Sequence, residues 1–225
     1  MPGPADADRR ARERYGLLLA VLIASFVVQG TAPTSDVWRG IVTVLLGAAL
    51  LLAFLAADMP ARRLRIASLL VTVVVGAGLL SLLIGLSEAE LGFTAIANAL
   101  LVALAPPSIV AGVVRSLRAH HEVTVQVLFG VLCLYLLAGM FFAFVYAAID
   151  QMSGNPFFTN GLDATPARSI YFSFTTLTTV GYGDLTAASN VGHTLAVTEA
   201  LLGQIYLVTV VSVVVANLVP RRFAG

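Results

Sequence analysis

Residues 178 to 184 read Thr178-Thr179-Val180-Gly181-Tyr182-Gly183-Asp184. Two glycines bracket one aromatic residue, and a carboxylate closes the stretch. Gly181 and Gly183 admit the positive φ values that residues with a Cβ avoid. A short helix-like segment, Ala167 to Leu177, precedes the stretch, and the last apolar run follows it from about Val191 to Val219. The helix-like segment is too short to cross a bilayer, so it is expected to re-enter and stay buried in protein.

The rest of the chain puts this stretch in a membrane. Of 225 residues, 59% are hydrophobic and 11% charged, with a mean hydropathy of +0.94. Those values exclude an ordinary soluble domain and point to an all-α protein that crosses the bilayer several times. A formal net charge of +1 gives no sign of nucleic-acid binding. All thirteen basic residues are arginine, which fits a GC-rich bacterial genome. Cys133 is the one cysteine and has no intrachain disulfide partner. The N-terminal apolar run lacks a small-residue cleavage pattern, so no cleaved signal is expected.

Six spans are expected. Residues 1 to 14 form a polar start carrying Arg9, Arg10, Arg12 and Arg14. The first span runs from about Tyr15 to Ala32, the second from Val37 to Ala57, the third from Ile66 to Leu86 and the fourth from Phe93 to Val114. Residues 15–118 thus make a four-helix domain, and 119–225 a second domain. The second contains an outer helix over 123–149, a short helix over 166–178, the irregular stretch 179–183 and an inner helix over 191–219. Arginines gather at the N-terminus, in the second-to-third loop (Arg62, Arg63, Arg65), in the fourth-to-fifth link (Arg115, Arg118) and at the C-terminus (Arg221, Arg222). Across six spans these places share one side, so both termini are expected in the cytoplasm. Only six residues follow Val219, and no cytoplasmic ligand-binding domain is expected after them.

Within the second domain, Thr165 is placed to cap the short helix and Pro166 to be its first residue. The C-terminal end of that helix would then point at the membrane centre, where its partial negative charge favours a cation. Glu199 lies inside the last apolar run; a carboxylate there is costly and is a functional candidate. We expect it beside the short helix, bonded to its hydroxyls. Gly203, in the interior of the same run, costs roughly 1 kcal/mol relative to alanine, which calls for a bending or packing reason. Val208 to Val215 is bulky and apolar, so copies of this helix could meet there in an apolar constriction.

The run Thr179-Val180-Gly181-Tyr182-Gly183, in this setting, resembles the selectivity filter of the tetrameric potassium channel superfamily. The resemblance covers about the last hundred residues, from Val123 to Val219. It implies a ring of backbone carbonyls that replaces the hydration shell of K+. The coordinating oxygens would belong to Thr179, Val180, Gly181 and Tyr182, with Gly183 completing the filter. It implies that Asp184 braces the filter and concentrates cations at the outer mouth, and that Tyr171 and Phe172 pack around it. Thr178 and Thr175 fall in the supporting region; at Thr175 some members carry a carboxylate instead. Glu199 and Gly203 resemble an E-x-x-x-G feature of bacterial pores, with Gly203 at the gating-hinge position. Members often carry a proline two or three residues after the filter, and Leu185-Thr186-Ala187 has none. Asn217 stands where some carry arginine. One filter strand per chain implies a homotetramer in a lipid bilayer, with K+ as permeant ion and no cofactor.

A six-span layout invites comparison with voltage-gated members, which need basic residues every third position inside the fourth span. Each such charge contributes about 2.3 kcal/mol per 100 mV. Phe93 to Val114 holds none, and Arg115 and Arg118 lie at its cytoplasmic end. Strong voltage sensing is therefore not expected. Pro106-Pro107 should bend or break the fourth helix. His120-His121-Glu122 are adjacent, face different ways on a helix, and make a poor metal site. No enzymatic constellation is present. The expectation is a passive potassium-selective channel; the alternatives are the pore subunit of a potassium transporter and a non-conducting regulatory membrane subunit.

Overall fold

The computed structural model describes residues 4–31, 35–57, 59–84, 89–120, 124–212 and 214. Seven helices are found among them: α1 (Pro4–Thr31), α2 (Asp36–Ala56), α3 (Ala61–Ile84), α4 (Ala89–His120), α5 (Val125–Ser153), α6 (Pro166–Leu177) and α7 (Asn190–Tyr206). A π-helical turn, Leu207–Val211, continues α7. Five stretches of the described residues are long and apolar enough to cross a membrane: Arg12–Thr31, Val37–Ala56, Ala95–Leu117, Val125–Ser153 and Asn190–Val211. The third expected span coincides with α3 up to Ile84 and then runs outside the described residues.

One apolar core joins α1, α2, α4 and α5. Tyr15, Leu18 and Leu22 of α1 meet Leu46 and Leu50 of α2, Leu101 and Ile109 of α4, and Val131, Leu137 and Met140 of α5. The first helix also reaches α6: the Phe26 and Phe174 rings pack edge-to-face with centroids 4.7 Å apart. Phe174 in turn lies over Gly139 of α5, where an added Cβ would come within 2.6 Å of the ring. A larger residue at 139 would push α6 off α5.

Two arginines meet the C-terminal end of α2, whose last carbonyls lack helical partners. Arg14 donates to Leu55 O and Arg115 donates to Ala57 O, each at 2.7 Å. Arg115 is therefore held at a helix end.

The described helices add detail to the expected ones in three places. Helix α1 begins at Pro4, so the arginine-rich start is helical and continuous with the first span. Alanine, arginine and glutamate favour helix enough to extend it. Helix α4 is not broken at Pro106-Pro107; it runs unbroken from Ala89 to His120. Two backbone donors are lost there, yet packing against α2 and α5 keeps the helix continuous. Ser108 Oγ donates to Ala105 O at 2.7 Å beside the prolines. The short helix ends at Leu177, with Thr178 as its C-cap.

Candidate functional site

Helix α6 starts where local chemistry says it should. Thr165 accepts a hydrogen bond from Arg168 N, and Pro166 occupies the first turn. Ahead of it, the α5–α6 loop is tied to the segment after residue 184. Thr159 N donates to Thr186 O at 2.9 Å, and Ala188 N donates to Phe157 O at 2.8 Å. Phe157 and Phe158 close a buried aromatic cluster with Tyr146 and Phe172. Asp150 Oδ1 accepts from Phe157 N at 2.7 Å, so this acid organises the loop.

At its other end α6 turns into the irregular stretch. Thr179 N donates to Thr176 O, and the Thr175 carbonyl accepts from both Val180 N and Gly181 N, at 2.8 and 3.1 Å. Positive φ values then fall on every second residue: Thr179 at 60°, Gly181 at 50° and Gly183 at 82°. Val180 and Tyr182 are not among the residues with positive φ. In an extended strand successive carbonyls point to opposite sides. Reversing φ at alternate residues lets them face one way. Glycine takes such a conformation at little cost, but a β-branched threonine does so only where its surroundings compel it.

Tyr182 is 72% exposed and Val180 51% exposed within one chain. The Tyr171 and Tyr182 rings stack, with centroids 6.2 Å apart and planes within 7°. Tyr171 also donates from its hydroxyl to Asp184 Oδ2 at 2.9 Å. Asp184 and Tyr182 are thus both held against α6 through Tyr171. Phe172 points elsewhere, into the aromatic cluster of the α5–α6 loop. The hydroxyls of Thr175 and Thr178 turn back on their own helix, to Tyr171 O, Phe172 O and Phe174 O. At Thr175 it is the main-chain carbonyl that supports the stretch.

Glu199 is fully buried where α5, α6 and α7 meet. Tyr146 of α5 donates to Glu199 Oε2 at 2.6 Å. Ser173 Oγ lies 2.5 Å from Glu199 Oε1 and 2.6 Å from Gly139 O. The carboxyl group therefore sits beside the short helix and meets its serine hydroxyl. Four residues on, Gly203 faces the end of α6: a Cβ there would overlap the Leu177 carbonyl oxygen. Leu177 O also accepts from Tyr135 of α5 at 3.3 Å. Close packing is thus a sufficient reason for glycine at 203. The wider helical turn occurs just beyond it, at Leu207–Val211.

Sequence reasoning missed Tyr146, Ser173, Tyr135 and the left-handed Thr179. A signal existed for one: Ser169 and Ser173 are four residues apart in an apolar helix, and both are buried. Nothing local distinguishes Tyr146 or Tyr135 from other aromatic residues of α5. Arg221, Arg222, Asn217, His121, Glu122 and the end of the expected inner helix lie outside the described residues.

Among the described residues no group of three His, Cys, Asp or Glu side chains is placed to hold a metal ion. No curated protein and no solved structure matches the chain. Residues 130–219, fewer than half of the 225, match a family model described as an ion channel. A domain of that family moves ions, catalyses no reaction and needs no cofactor. The part of the chain that carries the irregular stretch, its short helix and most of its two long neighbours is similar to the ion channel family.

Proposed function

We propose that the chain forms a homotetrameric, potassium-selective channel that conducts K+ passively across the cell membrane. The observation that carries this reading is the alternating sign of φ at Thr179, Gly181 and Gly183. It supports carbonyl oxygens of Thr179, Val180, Gly181 and Tyr182 stacked along one side of the backbone, with Gly183 ending the row. A dehydrated cation needs oxygens all around it, and one strand offers them on one side only. About four strands around an axis complete the cage.

The exposed surface supports the same assembly. Of the apolar stretch Asn190–Val211 only Gly192, Glu199 and Gly203 are buried within one chain, against 13 of the 29 residues of Val125–Ser153. Val191, Val197, Leu201, Leu202, Ile205 and Val208 are all exposed. In a tetramer these residues would meet neighbouring copies or line an inner cavity. Conduction follows from repulsion between ions on adjacent carbonyl rings, and Asp184 raises the cation concentration at the outer mouth.

The same reading gives six spans with both termini in the cytoplasm. Helices α1–α4 act as a scaffold around the pore, not as a strong voltage sensor. Arg115, bonded to the end of α2, is an anchor. The test is flux from purified protein in liposomes under opposed K+ and Na+ gradients, with single-channel recording. Selective K+ currents far above any alternating-access turnover are expected. Absence of current, or equal K+ and Na+ permeability, overturns the reading.

A further inference from the structure

We infer that Glu199 is a neutral carboxylic acid, and that its own proton completes a hydrogen-bonded chain joining α5, α6 and α7. Three close oxygen–oxygen contacts make up this chain: Gly139 O to Ser173 Oγ at 2.6 Å, Ser173 Oγ to Glu199 Oε1 at 2.5 Å, and Glu199 Oε2 to Tyr146 Oη at 2.6 Å. At such separations each pair of oxygens needs a hydrogen between them. A serine hydroxyl supplies one hydrogen, a tyrosine hydroxyl supplies one, and a backbone carbonyl supplies none. Two hydrogens cannot fill three contacts. The third is the carboxyl proton of Glu199.

The order of donation is then determined. Glu199 Oε1–H donates to Ser173 Oγ, freeing the serine hydrogen for Gly139 O. Tyr146 donates to Glu199 Oε2, which acts as the carbonyl oxygen of the acid. Ionising Glu199 would leave Ser173 with two acceptors and one hydrogen. Either the Gly139 carbonyl or a buried carboxylate oxygen would then go unpaired, an outcome that burial makes costly. Among the described residues both Glu199 oxygens bond hydroxyls and neither bonds a cation. Glu199 is therefore a positioning residue acting through Ser173: it seats α6, and with it residues 179 to 183, against the two long helices.

This inference rests on the reading of α6 as the support of the pore, but its test does not require conduction. Infrared difference spectra of the purified protein in lipid at neutral pH should contain the carbonyl stretch of a protonated carboxyl group. E199Q should lose that band. Y146F should move it to higher frequency, because the carbonyl oxygen loses a donor. E199Q keeps a donor and an acceptor in place, so its thermal midpoint should lie nearer the wild type than that of E199A. An ionised-carboxylate band that disappears in E199Q overturns the inference, as does a protonated band that Y146F leaves unmoved. Should E199Q fail to fold, the Y146F spectrum decides alone. A protein that shows the band and carries no K+ flux refutes the channel reading while sparing this one.

Discussion

Gly203 of α7 lies against the carbonyl oxygen of Leu177, the last residue of α6, so closely that a Cβ on residue 203 would overlap that oxygen. The same added atom would meet the Leu177 side chain at 2.8 Å. Backbone at a helix end that is also held by Tyr135 cannot move aside cheaply. Alanine at 203 gains about 1 kcal/mol of helix propensity. Overpacking of this kind costs about 1–3 kcal/mol, and contact with a carbonyl oxygen falls at the upper end. Gly203→Ala should therefore lower the thermal unfolding midpoint of the purified protein in detergent, followed by circular dichroism. A midpoint at or above the wild type would mean that glycine is there for bending alone.

Gly181 has φ of 50°, and a Cβ added to it would meet no other atom within 4 Å, so its requirement is conformational and not spatial. A Cβ in the left-handed region costs about 1–2 kcal/mol. That is small against the stability of a domain but large for the oxygen alignment that the proposed ion coordination demands. Gly181→Ala should abolish potassium flux in liposomes while the assembly remains folded on size exclusion. Undiminished flux would refute the assignment of residues 179 to 183.

Thr179 is a β-branched residue at φ 60°, a conformation that stores about 1–3 kcal/mol where its surroundings compel it. Thr179→Gly removes that strain and also the hydroxyl. The expected outcome is a folded protein whose preference for K+ over Na+ falls, read from reversal potentials. Unaltered selectivity would show that neither the hydroxyl nor the strained backbone matters.

Tyr171 holds two parts of the stretch at once, stacking on Tyr182 and donating to Asp184. Tyr171→Phe keeps the ring and loses one exposed hydrogen bond, to Asp184. The variant should still assemble, with a lower thermal midpoint that rising K+ restores, since a bound ion stabilises the folded site. A midpoint equal to the wild type at low K+ would remove Tyr171 from the scaffold.

Arg115 donates to Ala57 O and lies near the end of the apolar part of α4. Arg115→Gln should lower stability by about 1.5–3 kcal/mol, the worth of a charged hydrogen bond, and leave any voltage dependence nearly unchanged. A large shift of the activation curve would make this arginine a sensor.

The amino-acid sequence by itself determined what depends on residue type over short distances. Apolar runs of bilayer length marked the five described helices that are long and apolar enough to cross a membrane, Thr165-Pro166 marked the start of α6 to the residue, and Gly181 and Gly183 marked two of the places where the backbone reverses. These features follow from local dihedral preferences and from the cost of exposing polar backbone to lipid, which neighbouring helices do not alter. Only the tertiary structure decided which groups meet. It gave Glu199 its partners on two other helices, made Gly203 a packing necessity, drew Phe26 of α1 onto Phe174 of α6, and forced a threonine into a glycine conformation at 179. It also kept α4 continuous through two prolines, because packed neighbours outweighed a local preference to break. Partner choice of this kind depends on how helices far apart in sequence are rotated and spaced, and a shift of one residue in that register would pair each of these groups with a different atom.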